Sequence, residues 1–463
     1  MNFSSLTFVL YFLPLSILLF QLVDKYLSKA VNIYLILVSI FFYAWSDIKI
    51  TIIFLLSCIG IFIIGKIIER TKSKVLLTAS IAIIVGVLCF YKYVDFSIGI
   101  VNKLLHYEID LLYLVLPLGI SFASFEAISY LVDIYNGNKS GSLTETLLFL
   151  LFFPKVCSGP IVTWKRFKVA LKNRESNFNN LVSGAEKIVI GLGKKVILAD
   201  SLGTIVATVS ANYLKIDSIS AMLCALCFML QLYLDFSGYS DMAIGISRIF
   251  GFSFAENFNY PYLSKSVGEF YRRWHISLGT FLKEYIYIPL GGSRKGNVYL
   301  HLLIVFLVSG IWHGNGTSYI VWGLLIGLAV CLERKLSDEL AKVPDVIRWL
   351  LTMVFIYFTW ILFMMPSLST SVAFVKTMFA GISGNSVLLT YKYYFNLRII
   401  IIMLISIVVS VCNYKDIKYK IVLIINNRKF LSLLKYSFLL LVFVVSIVFI
   451  VNSTYSPFLY FRF

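Results

Sequence analysis

Charge is what this sequence has least of. Only 14% of its 463 residues are Asp, Glu, Lys or Arg, against roughly 25% in soluble domains, and that deficit excludes an ordinary water-soluble fold. Acidic residues are the scarcer sign, 23 against 41 basic ones, which leaves a net charge of +18. In a soluble protein such an excess would suggest nucleic acid; where lipid is the solvent it is the positive-inside bias of a bacterial membrane protein. The sequence has no polar stretch long enough for a separate soluble domain, no internal repeat, no coiled coil and no low-complexity linker, so residues 1–463 are expected to form one membrane-embedded domain. Metal-site spacing is missing too. The seven cysteines, Cys157 among them, lie mostly in apolar runs; Cys224 and Cys227 form a CxxC, but inside the apolar helix Ala221–Leu234, with no second pair and no histidine nearby. No metal or redox site is expected there.

What is present is apolar and comes in runs. Ile52–Ile64, Val75–Phe90, Trp349–Phe363, Ile399–Val411 and Phe438–Val451 carry no charge and, with their flanks, approach the ~20 residues of a helical span. Without the alternation of a barrel, only helices satisfy every backbone group in hydrocarbon. The fold class is therefore all-α and polytopic, with about eleven membrane-spanning helices plus short re-entrant and interfacial ones. Leu6–Val23 lacks the basic n-region and small-residue cleavage site of a signal peptide, and its first basic residues, Lys25 and Lys29, follow the run; it is expected to be a retained helix with an extracytoplasmic N-terminus. Basic Lys66–Lys74 then lies in the cytosol, with Ser46–Lys49 and Asp95–Asp110 outside. The clusters Lys155–Arg174, Lys265–Lys295, Arg334–Lys342 and Lys415–Lys429 are likewise expected to be cytosolic.

From Gln231 to Gly316 polar residues interrupt the apolar pattern, and such residues in a bilayer mark function by default. Phe252–Gly296 carries nine charges, six of them basic. Phe270, Trp274, Leu278, Phe281 and Tyr285 fall on one stripe at helical spacing, which predicts an amphipathic helix in the cytosolic interface. Glu269 precedes Arg272 and Arg273 at ion-pairing distance along it. Two readings stay open: an anchor whose cations meet lipid phosphates, or a platform whose Arg272, Arg273, Lys283, Arg294 and Lys295 attract an anionic donor such as a coenzyme A thioester.

His301–Gly323 (HLLIVFLVSGIWHGNGTSYIVWG) carries the second candidate. Its apolar helix reaches Trp312 after about 15 residues, roughly 23 Å at 1.5 Å per residue, short of a ~30 Å core. His313 is thus expected inside the membrane, where Gly310, Gly314 and Gly316 loosen the backbone. A histidine there is either a proton-transfer group or one hydrogen-bonded within a helix kink. In Gln231–Arg248, the polar Asp235, Tyr239, Ser240 and Asp241 imply a water-accessible channel, a partner cation or polar helix-packing contacts. Of the other histidines, His275 lies beside Trp274 on the interfacial helix, while His106 and His301 are taken as ordinary surface or interface residues.

Three of these segments together, Asn257–Gly296, LDFSGYSDMAIG (Leu234–Gly245) and GIWHGNGTSYIVWG (Gly310–Gly323), resemble the membrane-bound O-acyltransferase (MBOAT) family, most closely the bacterial alginate O-acetyltransferase membrane subunits. Shorter echoes are FYAW (Phe42–Trp45), YKYVDF (Tyr91–Phe96), Leu116–Tyr135 and GLGKKVILAD (Gly191–Asp200). The resemblance implies a ring of helices around a thinned centre, with a central tunnel joining a cytosolic donor mouth to an outer funnel. It also implies that His313 matches the catalytic histidine and His275 the second characteristic one. Asp235, Tyr239, Asp241, Trp312 and Asn315 are expected to line such a tunnel, with Asp241 or Tyr239 alternatively orienting the histidine. Departures are Tyr271 where relatives carry Trp, Lys283-Glu284 in place of an Arg-Asp pair, and the absence of Arg from FMMP (Phe363–Pro366).

The expected reaction is acetyl transfer from cytosolic acetyl-CoA, docked near Arg272, Arg273 and Lys283, to an acceptor hydroxyl deprotonated by His313, with no permanently bound cofactor. An acetyl-histidine intermediate is a variant of the same chemistry. The chain lacks a GDS-type serine hydrolase motif and a large outer domain, so a separate extracytoplasmic transferase is expected to pass the acetyl group to a cell-surface polysaccharide. Alternatives are D-alanylation of teichoic acid from a carrier-protein thioester, export of a polysaccharide or lipid, and a non-catalytic scaffold.

Overall fold

The computed structural model describes the chain except residues 115, 157–158, 381–389, 413–426 and 453–463. Cys157 and most of the expected basic cluster Lys415–Lys429 therefore lie outside the described residues. Regular structure among the described residues is helical throughout, as the charge-free runs predict. In chain order the main helices are α1 (Thr7–Tyr26), α2 (Val31–Ala44), α3 (Ile48–Thr71), α4 (Lys74–Leu105), α5 (Ile120–Tyr135), α6 (Leu143–Leu151), α7 (Trp164–Lys172), α8 (Phe178–Gly193), α9 (Asp200–Ala211), α10 (Ser218–Ile249), α11 (Val267–Arg273), α12 (Ile276–Leu282), α13 (Val298–His313), α14 (Thr317–Lys335), α15 (Asp345–Met364), α16 (Leu368–Phe379), α17 (Leu397–Val411) and α18 (Arg428–Asn452). Seven of them, α1, α3, α4, α10, α14, α15 and α18, are long and apolar enough to cross a bilayer; α2, α13, α16 and α17 are apolar but shorter. The protein is an all-α polytopic membrane protein.

Local sequence fixes where these helices begin. The Asp47 carboxylate accepts the Ile50 N–H at 2.9 Å and starts α3, the Ser73 hydroxyl does the same for α4, and Ser142 with Glu145 forms a reciprocal cap on α6. Between α3 and α4, Lys72 turns the chain in the left-handed region (φ 50°). The expected outer segment from Asp95 is helical as far as Leu105, because α4 continues for 32 residues, about 48 Å, well beyond a ~30 Å core.

The chain forms two compact units. The first combines Met1–Ile188 with Ala243–Ala255. Its core is aromatic: Phe3, Phe8, Phe12, Phe42 and Phe153 pack at one place, Tyr130, Phe149, Trp164 and Phe167 at another. Lys155, the first residue of the basic cluster Lys155–Arg174, is fully buried there. It is ion-paired to Glu126, with its ammonium 4.4 Å over the Phe149 ring. A charge is tolerated at such depth because a carboxylate and a π-face replace water.

The second unit combines Val189–Met242 with Glu256–Phe463 and contains the candidate residues. Here the end of α8 and the middle of α10 meet backbone to backbone. A Cβ on Gly191 would stand 2.4 Å from the Gly238 carbonyl oxygen, the close approach that small residues allow between membrane helices. A π-helical turn, Lys194–Ala199, follows at once and leads into α9.

Candidate functional site

The site is built on a helical hairpin. α13 has 16 residues, about 24 Å, and ends on His313 before it could cross a full core. Gly314 is extended and Gly316 caps α14, so the chain reverses within three residues. The two helices then run with their backbones in contact, since a Cβ on Gly310 would lie 2.4 Å from the Tyr319 carbonyl and one on Gly323 2.5 Å from that of Phe306. This holds the His313 ring among aromatic faces: Trp312 at 4.8 Å, Trp322 at 5.4 Å and Phe363 at 5.2 Å between centroids, all nearer edge-on than stacked. His313 and Trp312 are each 7% exposed. Asn315, in the reversal itself, is exposed.

His275 corrects the expectation of one long amphipathic helix. The segment breaks into α11 and α12, and His275 sits at the break with φ +44°, a left-handed conformation that costs a non-glycine residue on the order of 1 kcal/mol or more. Asn257, 18 positions upstream, makes the break possible. Its carbonyl accepts the Ile276 N–H at 2.9 Å and its side-chain oxygen the Ser277 N–H at 3.0 Å, so the first two donors of α12 are satisfied without a preceding helical turn. The same side-chain oxygen lies 3.2 Å from His275 Nδ1, with Ser277 Oγ at 3.5 Å, and the Asn257 amide nitrogen donates to Ser240 Oγ at 3.1 Å. His275 is 2% exposed, with its ring on Phe236 at 4.6 Å and towards Trp312 at 6.4 Å. Burial pushes its pKa down to about 3. Trp312 thus packs against both histidines.

The aromatic stripe predicted around Phe270 serves the same enclosure. Tyr271 meets Trp322 at 5.9 Å, Trp274 meets Trp360 at 5.0 Å, and Trp360 meets Phe363 at 5.3 Å. At the other end of α11, the Glu333 carboxylate on α14 accepts the Val267 and Gly268 N–H groups, which ties that short helix to the hairpin.

The carboxylates of α10 have partner cations, one of the three readings open from sequence. Asp235 pairs with Lys195 at 2.9 Å, Lys195 also reaches Asp200 at 2.6 Å, and Asp241 pairs with Lys194 at 2.8 Å. Tyr239 is fully buried on the same helix. The basic candidates divide. Arg273 is engaged, bonding Glu269 through Nε at 2.9 Å and the Asn259 carbonyl at 3.3 Å. Arg272, Lys283, Arg294 and Lys295 are exposed. His301, expected at the surface, is buried: its Nδ1 lies 2.8 Å from the Gly292 carbonyl oxygen, and a Cβ on Gly291 or Gly296 would come within 3.2 Å of its ring. The GGSRKG loop closes around it, which only side-chain-free positions permit. His106 is exposed, as expected.

The structure therefore brings together His275, Trp312 and His313, and sets Arg272 and Lys283 at the ends of short helices leading to them. Sequence reasoning gave no role to Asn257, Trp322, Phe363, Lys194, Lys195 or Glu333. Signals existed for some: Asn257 opens the NFNYPY run and the two lysines stand in GLGKKVILAD.

The chain is similar to known proteins over most of its length. A family model described as MBOAT, membrane-bound O-acyltransferase family, matches residues 37–375. The chain is 33% identical over 425 residues to the "Peptidoglycan O-acetyltransferase" of Helicobacter pylori, covering 83% of this chain and 80% of that one. It is 34% identical over 398 residues to the "Probable alginate O-acetylase AlgI" of Pseudomonas aeruginosa, covering 82% and 75%. The "Teichoic acid D-alanyltransferase" of Bacillus subtilis is 30% identical over 223 residues, covering 45% and 56%.

Proposed function

The chain belongs to the membrane-bound O-acyltransferase family, and from that premise we propose that it is an O-acetyltransferase moving acetyl from cytosolic acetyl-CoA toward a cell-surface or exported polysaccharide. The observation that carries this reading is the pair of buried imidazoles, His275 and His313, that both pack against Trp312. Relatives named for O-acetylation of peptidoglycan and alginate match over four-fifths of the chain, whereas the D-alanyltransferase match covers less than half; acetyl is therefore favoured over D-alanyl as the group transferred.

In this reading His313 takes the proton of an acceptor hydroxyl, the oxygen attacks the thioester carbonyl, and the carbon–sulfur bond breaks. The thiolate leaves and recovers the proton as coenzyme A thiol, so an ester and a thiol replace a hydroxyl and a thioester. The positive charge that builds on His313 meets the carbonyl end of α13, which favours a cation by roughly 0.3–1 kcal/mol. The rings of Trp312, Trp322 and Phe363 keep water from competing for the thioester. Arg272 and Lys283, exposed at short helix ends, suit the donor's phosphates. A separate extracytoplasmic transferase completes delivery to the polymer.

The test is acetyl-CoA consumption by the protein in membrane vesicles supplied with an acceptor hydroxyl. His313→Ala is expected to reduce thiol release on the order of 10²–10⁴-fold with the protein still folded. Undiminished release by that variant would overturn the assignment, and consumption of a D-alanyl carrier thioester in place of acetyl-CoA would favour the second reading.

A further inference from the structure

We propose that Asn257 is the positioning residue of the second histidine, its carboxamide fixing which nitrogen of His275 carries the proton so that the imidazole meets substrate as a hydrogen-bond acceptor through Nε2. The inference rests on reading His275 as part of the acetyl-transfer site.

The orientation of the amide follows from its neighbours. The Ser277 backbone N–H, 3.0 Å away, can only donate, so the atom facing it must be the amide oxygen. The amide nitrogen is then the atom facing Ser240 Oγ, which accepts. With the oxygen fixed, His275 Nδ1 at 3.2 Å must donate, and a neutral imidazole with its proton on Nδ1 keeps its lone pair on Nε2. Asn257 is 1% exposed and Ser240 2%, so water does not compete for either contact. The chain Ser240, Asn257, His275 thus runs from α10 to the break before α12, and the left-handed backbone at His275 is held by the same residue that sets its tautomer. Were Asn257 only a helix cap, satisfying the Ile276 and Ser277 donors would suffice; its side-chain oxygen also turns to the imidazole.

Asn257→Ala and Asn257→Asp separate the two roles, with thermal unfolding in detergent confirming that each is folded. A carboxylate still accepts from Nδ1, so Asn257→Asp is expected to keep kcat near wild type. Asn257→Ala is expected to lower it on the order of 10- to 100-fold, the range lost when an outer partner of a functional histidine is removed. The KM for acetyl-CoA should stay within about twofold, since donor binding is untouched. In a His275→Gln background, whose side chain has no tautomer to fix, Asn257→Ala should cost little more. Wild-type kcat in Asn257→Ala, equal losses in the Ala and Asp variants, or the same loss in both backgrounds would overturn the inference. Absence of acetyl-CoA turnover by the wild-type protein would instead overturn the reading of the site on which it rests.

Discussion

His275 and His313 are both imidazoles under hydrophobic cover, yet their backbones prepare them differently. His313 is the last residue of α13, at a carbonyl end that welcomes positive charge. His275 precedes α12 in a left-handed turn, packed by Phe236 and Ser240 of α10, Asn257, and Trp312 of α13; the α10 carboxylates Asp235 and Asp241 are taken up by Lys195 and Lys194. Burial pushes the His275 pKa down to about 3, so the ring is neutral throughout pH 5–8, and its protonation lies below that window. A pH–activity profile taken there should therefore not report His275. In His275→Gln, whose side-chain oxygen still accepts a hydrogen bond, the remaining activity is expected to keep the wild-type acid limb at a lower plateau; disappearance of that limb would assign the titration to His275. The end of the short apolar helix at His313 was legible from sequence because it needs only a helix length and a glycine cluster. The setting of His275 was not, because its partner lies 18 residues upstream and no local pattern joins them.

At the scale of elements, the apolar runs announced the helices but not their interruptions. Phe270, Trp274, Leu278, Phe281 and Tyr285 fit a helical period, and the period continues across a break because Asn257 supplies the hydrogen bonds that a continuous helix would have made. The polar positions of α10 were equally ambiguous until the π-helical turn Lys194–Ala199 placed two consecutive lysines against them. These pairs predict an asymmetry. Lys195 serves both Asp235 and Asp200, and Lys195 and Asp235 are 2% and 3% exposed. Lys195→Met strands buried Asp235, a loss of about 3–5 kcal/mol for breaking a buried pair from one side. Asp235→Asn leaves Lys195 with Asp200 and should cost less, and Lys195→Met combined with Asp235→Asn should recover part of the loss. Thermal unfolding midpoints in detergent order the variants; a Lys195→Met midpoint no lower than that of Asp235→Asn would show that the pairs carry no such weight.

For the whole molecule, the quantity to be fixed is which face of the membrane each loop meets, and charge sets it. Lys66, Arg70, Lys72 and Lys74 crowd the turn between α3 and α4, whereas the turn between α2 and α3 carries Asp47 and Lys49 alone. Basic residues close to span ends favour the cytosol, so the expected orientation has the first turn inside, the second outside, and the N-terminus outside. The cations suited to donor phosphates, Lys283, Arg294 and Lys295, follow the same rule, and the proposed chemistry requires it, because acetyl-CoA is available only in the cytosol. Single cysteines at the exposed positions Thr71, Ser46 and Ser293, introduced with the seven native cysteines replaced by serine, make this measurable with a membrane-impermeant maleimide. Thr71→Cys and Ser293→Cys are expected to label in inverted vesicles and not in right-side-out ones, and Ser46→Cys the reverse. Labelling of Ser293→Cys from the outer face, with Thr71→Cys still inside, would leave the basic loop beyond the reach of a cytosolic donor. The acetyl-CoA reading would then fail even if both histidines proved essential.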